Sequence, residues 1–272
     1  MTTYKGIKGL GLQNIASDAI ADQISGGTWA SGGNLNSAHS EKPGGVGTQT
    51  ASLCFGGNPY VQTNEEYNGT SWSEKGDLNT GRMRLAASKA GTVTAALAIG
   101  GEVPPGSSGT NAVESWNGSA WTEIAEINTA RRSLGGAGTQ TSAIGFAGTT
   151  AHPAPNGETA IAEEWNGSAW SEVGDLNTAR FSMASAGENA ENALAISGNT
   201  GSVTTVVEKW DGTSWTEVGD VNTSRDARAG AGTATSALGF GGYGPGNTAN
   251  TEAWDGSSWT EVANLSTATN SA

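Results

Sequence analysis

The sequence predicts an all-β chain, a five-bladed β-propeller with a short non-repeat N-terminal segment. Three observations carry that expectation. A ten-residue phrase, Glu-x-[Trp/Tyr]-[Asn/Asp]-Gly-[Ser/Thr]-x-Trp-[Ser/Thr]-Glu, occurs five times, at 65–74, 114–123, 163–172, 208–217 and 252–261. Its final Trp stands at 72, 121, 170, 215 and 259, in steps of 49, 49, 45 and 44 residues, the period of a radial or stacked β architecture. Gly accounts for 42 of 272 residues and charged residues for only 14%, while ten Trp supply material for a core. One such unit cannot bury its own apolar face, so the copies must assemble around a common axis.

Four strands are expected in each unit, and the third copy, 129–177, serves to place them. The Gly-rich run 133–141 suits a strand crowded against the axis. Residues 142–146 alternate apolar with small residues and end at Ala147-Gly148, where other copies have Gly56-Gly57, Gly100-Gly101, Ser197-Gly198 and Gly241-Gly242. A variable stretch with Pro153 and Pro155 follows as a loop. Residues 160–165 and 168–173 then form two strands joined at Asn166-Gly167, a hairpin signal because both residues tolerate positive φ. The equivalents are Asn68-Gly69, Asn117-Gly118, Asp211-Gly212 and Asp255-Gly256. Because Asp replaces Asn in two copies, turn geometry rather than glycan attachment at Asn68, Asn117 and Asn166 explains the pattern.

A connector ends each unit: Leu78-Asn79-Thr80-Gly81-Arg82, Ile127-Asn128-Thr129-Ala130-Arg131, Leu176-Asn177-Thr178-Ala179-Arg180 and Val221-Asn222-Thr223-Ser224-Arg225. Its aliphatic residue is expected to pack between blades. The Arg ring admits two readings: an anion site at one mouth of the axis, or ties to a repeated Glu or to carbonyls. The second is favoured, because the recurrence follows the structure with a symmetry no asymmetric substrate needs. By the same logic Trp116 and Trp121 are expected to stack across their hairpin on the blade surface rather than to serve a sugar.

The segment 28–39 repeats the fourth strand and connector in degenerate form, with His39 where Arg stands elsewhere. The blade ending at Trp259 already has its own fourth strand, which leaves this copy surplus. Residues 1–27 match no repeat. Residues 15–24 have a weak helical spacing, and the segment is expected to be a tether or oligomerisation element. The propeller proper occupies 40–272.

A net charge of −13 disfavours nucleic acid and anionic membrane surfaces as partners. No apolar run approaches the ~20 residues of a membrane span, and the N-terminus lacks the apolar core of a secretory signal. One cysteine, Cys54, rules out an intrachain disulfide and a multi-cysteine zinc site, and is expected to be a small inert filler.

The Gly doublet after an apolar strand, followed by an aromatic, a Trp and a closing Arg, resembles the kelch repeat over residues 40–266, with Ala147 and Ser197 departing from the doublet. The wording Gly-Thr-Gln-Thr, Trp-Asn-Gly-Ser-x-Trp-Thr-Glu and Leu-Asn-Thr-Ala-Arg is similar to kelch-like structural proteins of marine tailed phages, as is the opening Tyr4-Lys5-Gly6-Ile7-Lys8-Gly9. The resemblance implies a virion protein made in the host cytoplasm: a tail fibre, tail appendage or head decoration. Its implied partners are other virion proteins or copies of itself, met through the N-terminal segment, and host surface glycans.

Kelch propellers also include copper radical oxidases, whose site needs a Cys–Tyr cross-link and several His ligands. Two His, His39 and His152, and four scattered Tyr do not supply it. A Ser or Cys nucleophile has only those two His as a base, whereas a carboxylate pair for glycoside cleavage stays open. The expectation is a non-enzyme with no catalytic residue, metal or cofactor. The alternative is a carbohydrate-binding or glycan-cleaving propeller with its site in the loops after the doublets, 58–64, 102–111, 149–159, 199–205 and 243–251. The residues expected to face a ligand are Asn58, Pro59, Tyr60, Pro104, Pro105, His152, Asn199, Tyr243 and Asn247.

Overall fold

The computed structural model describes residues 28–106, 109–151, 157–226 and 229–269. Residues 1–27 lie outside this set, as do His152, Pro153 and Pro155. The described residues form five four-stranded antiparallel sheets, each meandering in chain order from its first strand to its fourth. Blade 1 holds β1 (Gly44–Thr48), β2 (Ala51–Phe55), β3 (Asn64–Tyr67) and β4 (Trp72–Glu74). Blade 2 holds β5 (Ala86–Ala87), β6 (Ala96–Ile99), β7 (Val113–Trp116) and β8 (Trp121–Ile124). Blade 3 holds β9 (Gly135–Gly138), β10 (Ala143–Phe146), β11 (Ala162–Trp165) and β12 (Trp170–Val173). Blade 4 holds β13 (Ala184–Asn189), β14 (Asn192–Ile196), β15 (Val207–Trp210) and β16 (Trp215–Val218). Blade 5 holds β17 (Ala229–Gly232), β18 (Ala237–Phe240), β19 (Thr251–Trp254) and β20 (Trp259–Val262). This is the five-bladed propeller that the repeat predicts.

Small residues on the first strands let the blades converge. A side chain at Gly44 or Gly135 would meet the ring of Phe55 or Phe146 at 2.1 and 2.4 Å, so the ring lies flat over the first strand only because no Cβ is there. Where the second strand ends in Ile99 or Ile196 instead, the facing residue is Ala86 or Ala184. Blade 5 breaks the rule by setting Ala229 opposite Phe240.

The aromatic pairs do face each other, with Trp116 and Trp121 ring centroids 5.4 Å apart. They are not on the surface: eight Trp in blades 2 to 5 are buried. The fourth-strand Trp of blades 2 and 4 are roofed by the blade before them, as Phe55 covers Trp121 at 4.7 Å and Phe146 covers Trp215 at 4.9 Å. Each third-strand indole donates to a turn carbonyl of its own blade, for example Trp116 Nε1 to Val93 O at 2.9 Å and Trp165 Nε1 to Gln140 O at 3.0 Å.

The joining turn also differs from expectation. Trp116 pairs with Trp121, so the loop has four residues, and Gly118 takes a positive φ of 94° while Asn117 does not. Asn117 Oδ1 instead accepts the N–H groups of Ser119 and Ala120, both at 2.9 Å. Only an acceptor oxygen is needed there, which is why Asp211 and Asp255 serve equally.

Candidate functional site

The connectors and the variable loops share one face of the wheel, and the connectors hold it rigid. Arg131 Nη2 donates to Glu163 Oε1 at 2.8 Å, and its Nη1 donates to the carbonyls of Ile161 and Ala147 at 2.6 and 3.0 Å. Glu163 Oε2 accepts the backbone and side-chain N–H groups of Asn128 at 2.5 and 2.8 Å. The same clamp joins Arg82 to Glu114, Arg180 to Glu208 and Arg225 to Glu252, and all eight side chains are buried. Burial draws each guanidinium below its ordinary pKa, and the partner carboxylate opposes that. The repeated Arg residues are therefore ties to the repeated Glu, with no guanidinium turned toward a ligand.

Blade 1 takes its clamp from the segment that the sequence leaves over. Asn36 N and Nδ2 donate to Glu65 Oε2 at 2.8 and 2.9 Å, and Ser37 N donates to Oε1 at 2.8 Å. His39 stands for Arg, with Nε2 3.3 Å from Glu65 Oε1 and Nδ1 2.6 Å from Gly56 O. Burial works to raise the Glu65 carboxyl, but the Asn36 and Ser37 N–H groups outweigh it and leave its pKa below the ordinary value.

Above the clamps, the entry residues of four blades form a backbone chain around the axis. Ser182 N donates to Ser133 O, Ser133 N to Arg84 O and Arg84 N to Glu41 O, at 2.9, 2.8 and 3.0 Å. All four residues have left-handed φ, between 53° and 57°. Beside them lies a ring of isolated bridges, Ser40 with Asn58, Met83 with Glu102, Arg132 with Thr149, Phe181 with Asn199 and Asp226 with Tyr243. At this ring each blade carries a different pair, so the fivefold symmetry ends here.

Non-repeated charges gather at blades 1 to 3 of the ring. Glu102, 2% exposed, accepts Arg84 Nη1 at 2.9 Å, Arg132 Nη1 at 2.7 Å and the Tyr60 hydroxyl at 3.2 Å. Arg84 Nε also donates to Glu41 Oε2 at 2.9 Å. Burial raises the Tyr60 phenol and the Glu102 carboxylate raises it further, so the phenol keeps its proton at neutral pH. Both carboxylates are met by guanidinium groups. The cluster organises the rim, and its groups are occupied with one another.

Of the residues expected to face a ligand, Tyr60 belongs to this cluster, while Asn58 and Asn199 are half-buried bridge residues of the ring. Asn199 Nδ2 also donates to Asp226 Oδ2 at 2.9 Å. Pro59, Pro104, Pro105, Tyr243 and Asn247 are exposed on the loops. Asn247 lines a pocket of about 200 Å³ between connector residues 223–225 and loop residues 244–248. The loops of blades 1 and 5 are thus far apart in role: one carries ion pairs, the other an open concavity. Sequence reasoning missed Glu41, Arg84, Glu102 and Arg132, which occur once each and bear no motif. Among the described residues no group of three His, Cys, Asp or Glu is placed to hold a metal.

No protein-family model matches the chain, and no curated protein matches it. The fold is similar to that of a solved structure described as "Structure of YjhT", with a TM-score of 0.68 at 12% identity over 85% of this chain and 86% of that one. At that identity the likeness establishes the propeller alone.

Proposed function

We propose that the protein is a non-catalytic structural and attachment protein of a tailed phage particle, presenting its loop face to partners. The observation that carries the non-catalytic reading is the fate of the titratable groups. The first Glu of each repeat and the connector Arg are locked in five buried clamps, counting His39–Glu65, and the non-repeated cluster around Glu102 is paired within itself. Neither the cleft between blades 5 and 1 nor the pocket at 244–248 is lined by an Asp or Glu, the residue type glycoside cleavage uses in pairs. The particle setting rests on the resemblance of the repeat wording to phage structural proteins. Labelling the protein on intact particles and imaging them tests it. Density on the tail or capsid surface supports the reading, and absence from purified particles refutes it.

A binding role for the loop face has its own support. The loops vary where the rest repeats, and exposed Tyr243, beside Asn247 and the pocket at 244–248, offers the aromatic and amide groups that a sugar uses. Host surface glycans are the proposed ligands of this face, and incubation with oligosaccharides should release no reducing sugar.

A further inference from the structure

The ring is sealed at four joints and open at the fifth. A side chain at Gly136 would meet Ala87 O of blade 2 at 2.7 Å, and one at Gly230 would meet Ser185 O of blade 4 at 2.6 Å. Blades 3 and 4 touch through Gly136 N and Ser185 Oγ at 3.3 Å. The equivalent residue of blade 1, Gly45, meets nothing closer than Leu53 O of its own blade at 3.9 Å. Accordingly β9 is buried throughout, whereas β1 and β17 become exposed toward their hairpin ends. A cleft of about 560 Å³ separates them, walled by Trp29, Trp72, Phe240, Val46, Leu53 and Ala231.

Local packing explains the opening. Phe240 faces Ala229, whose Cβ occupies the place where Phe55 and Phe146 lie back over glycine. Trp29 takes the Phe240 ring instead, at 5.1 Å, and Trp72 of blade 1 keeps its cross-strand pairing with Tyr67 at 5.1 Å but is left half-exposed. Trp29 is a wedge in the joint, while the His39–Glu65 clamp shuts the other face.

The cleft has a defined chemistry. Trp29 Nε1 donates to Ala263 O and Trp72 Nε1 to Gly33 O, both at 2.9 Å, so both indoles offer the cleft their carbon faces. A sugar would find few hydrogen-bond partners on such walls. The exceptions are Ser52 and Cys54 on the blade 1 wall and, at the inner end, half-buried Lys89, which lines both the cleft and the axial channel. No hydrogen bond or ion pair reaches its ammonium among the described residues. The neighbouring Lys42 donates to Met183 O at 3.1 Å from the channel side. We propose that this cleft binds an amphiphilic carboxylate, its alkyl chain between Trp29, Trp72 and Phe240 and its carboxylate at Lys89. The volume lies within the roughly 300–1,000 Å³ of small-molecule pockets, and Lys89, the one charged residue of the lining, supplies the anchor that orients a ligand in them. Because burial depresses the Lys89 pKa, an anion beside it restores the charge, and affinity rises as pH is lowered through that pKa.

Titration of the full chain with dodecanoate, dodecanol, dodecyltrimethylammonium and butyrate, followed by calorimetry and tryptophan emission below micellar concentrations, tests the proposal. Saturable one-to-one binding of dodecanoate is expected, with dodecanol and the cationic amphiphile roughly tenfold weaker or worse and butyrate silent. Lys89→Gln should lower dodecanoate affinity by about tenfold and leave dodecanol unchanged. Ala231→Trp should abolish both. Gly45→Val, at a position with room for a side chain, repeats that test should the Trp variant not fold. Equal affinity for the anionic and cationic amphiphiles overturns the proposal, as does binding indifferent to both filling substitutions. Absence of saturable binding overturns it as well.

Discussion

Arg131 Nη2 lies 2.8 Å from Glu163 Oε1, with both side chains fully buried. Arg131 belongs to the connector leaving blade 2 and Glu163 to a strand of blade 3, so the pair fixes one blade against the next. Removing one partner of a buried pair leaves a desolvated charge behind. Glu163→Gln is expected to cost roughly 3–5 kcal/mol in chemical denaturation. Arg131→Met should cost less, because the Asn128 and Thr129 N–H groups still donate to the carboxylate. A smaller loss for Glu163→Gln than for Arg131→Met contradicts this account of the clamp.

Asp255 gives a distinct acid signature. The Ser258 N–H, with Ser257, holds its carboxyl at about 2 against an ordinary 3.8. A depressed acid contributes stability that is present above its unfolded pKa and lost as pH falls through its folded pKa. The wild type should therefore lose stability between pH 4 and 2 more steeply than Asp255→Asn, which keeps the turn acceptor that blades 1 to 3 already use. Parallel urea curves for the two proteins across that interval would show the turn bond to be idle.

Lys42 acts in the opposite range. Burial lowers its pKa from 10.5 to about 7, Asp226 opposing and Lys89 and Arg84 adding to the effect. Between those values the unfolded chain binds the extra proton, so this group makes the fold more stable as pH rises from 7 toward 10. Lys42→Met should be more stable than wild type below pH 7, and thermal melts should show the gap narrowing as pH rises. A gap that widens with pH contradicts the assignment.

Cys54 is held unreactive by its surroundings. Burial, aided by the nearby Glu65 charge, pushes its thiol up to about 12, so almost no thiolate exists at neutral pH. Its reaction with a disulfide reagent should be far slower in the native protein than in urea. Equal rates would show that the fold does not suppress its thiolate.

The wheel was legible because repetition multiplies each local signal. Five copies of Trp-Asn-Gly-Ser-x-Trp mark the hairpins, and the recurring Arg and Glu hint at their pairing, although Asn79 and its Glu114 partner lie 35 residues apart. What was not legible occurs once. The contacts of Glu102 with Tyr60, Arg84 and Arg132 join three blades through residues that no pattern connects. The burial of the Trp pairs was missed for a related reason, since the Phe residues that roof Trp121 and Trp215 come from adjacent blades. The open joint depends on one methyl group, Ala229 in place of glycine, and on where Trp29 comes to rest.

The central claim is that the repeats build the wheel while the loop face does the binding. Glycan-array binding by the full chain and by a variant with all five loops replaced by Gly/Ser linkers of equal length, save Asn58, Tyr60, Asn64, Glu102, Thr149 and Asn199, which hold the rim, tests it most directly. The account predicts bound glycans that are lost from the variant while its thermal melt stays cooperative. Glycan binding that survives the replacement of every loop would contradict it.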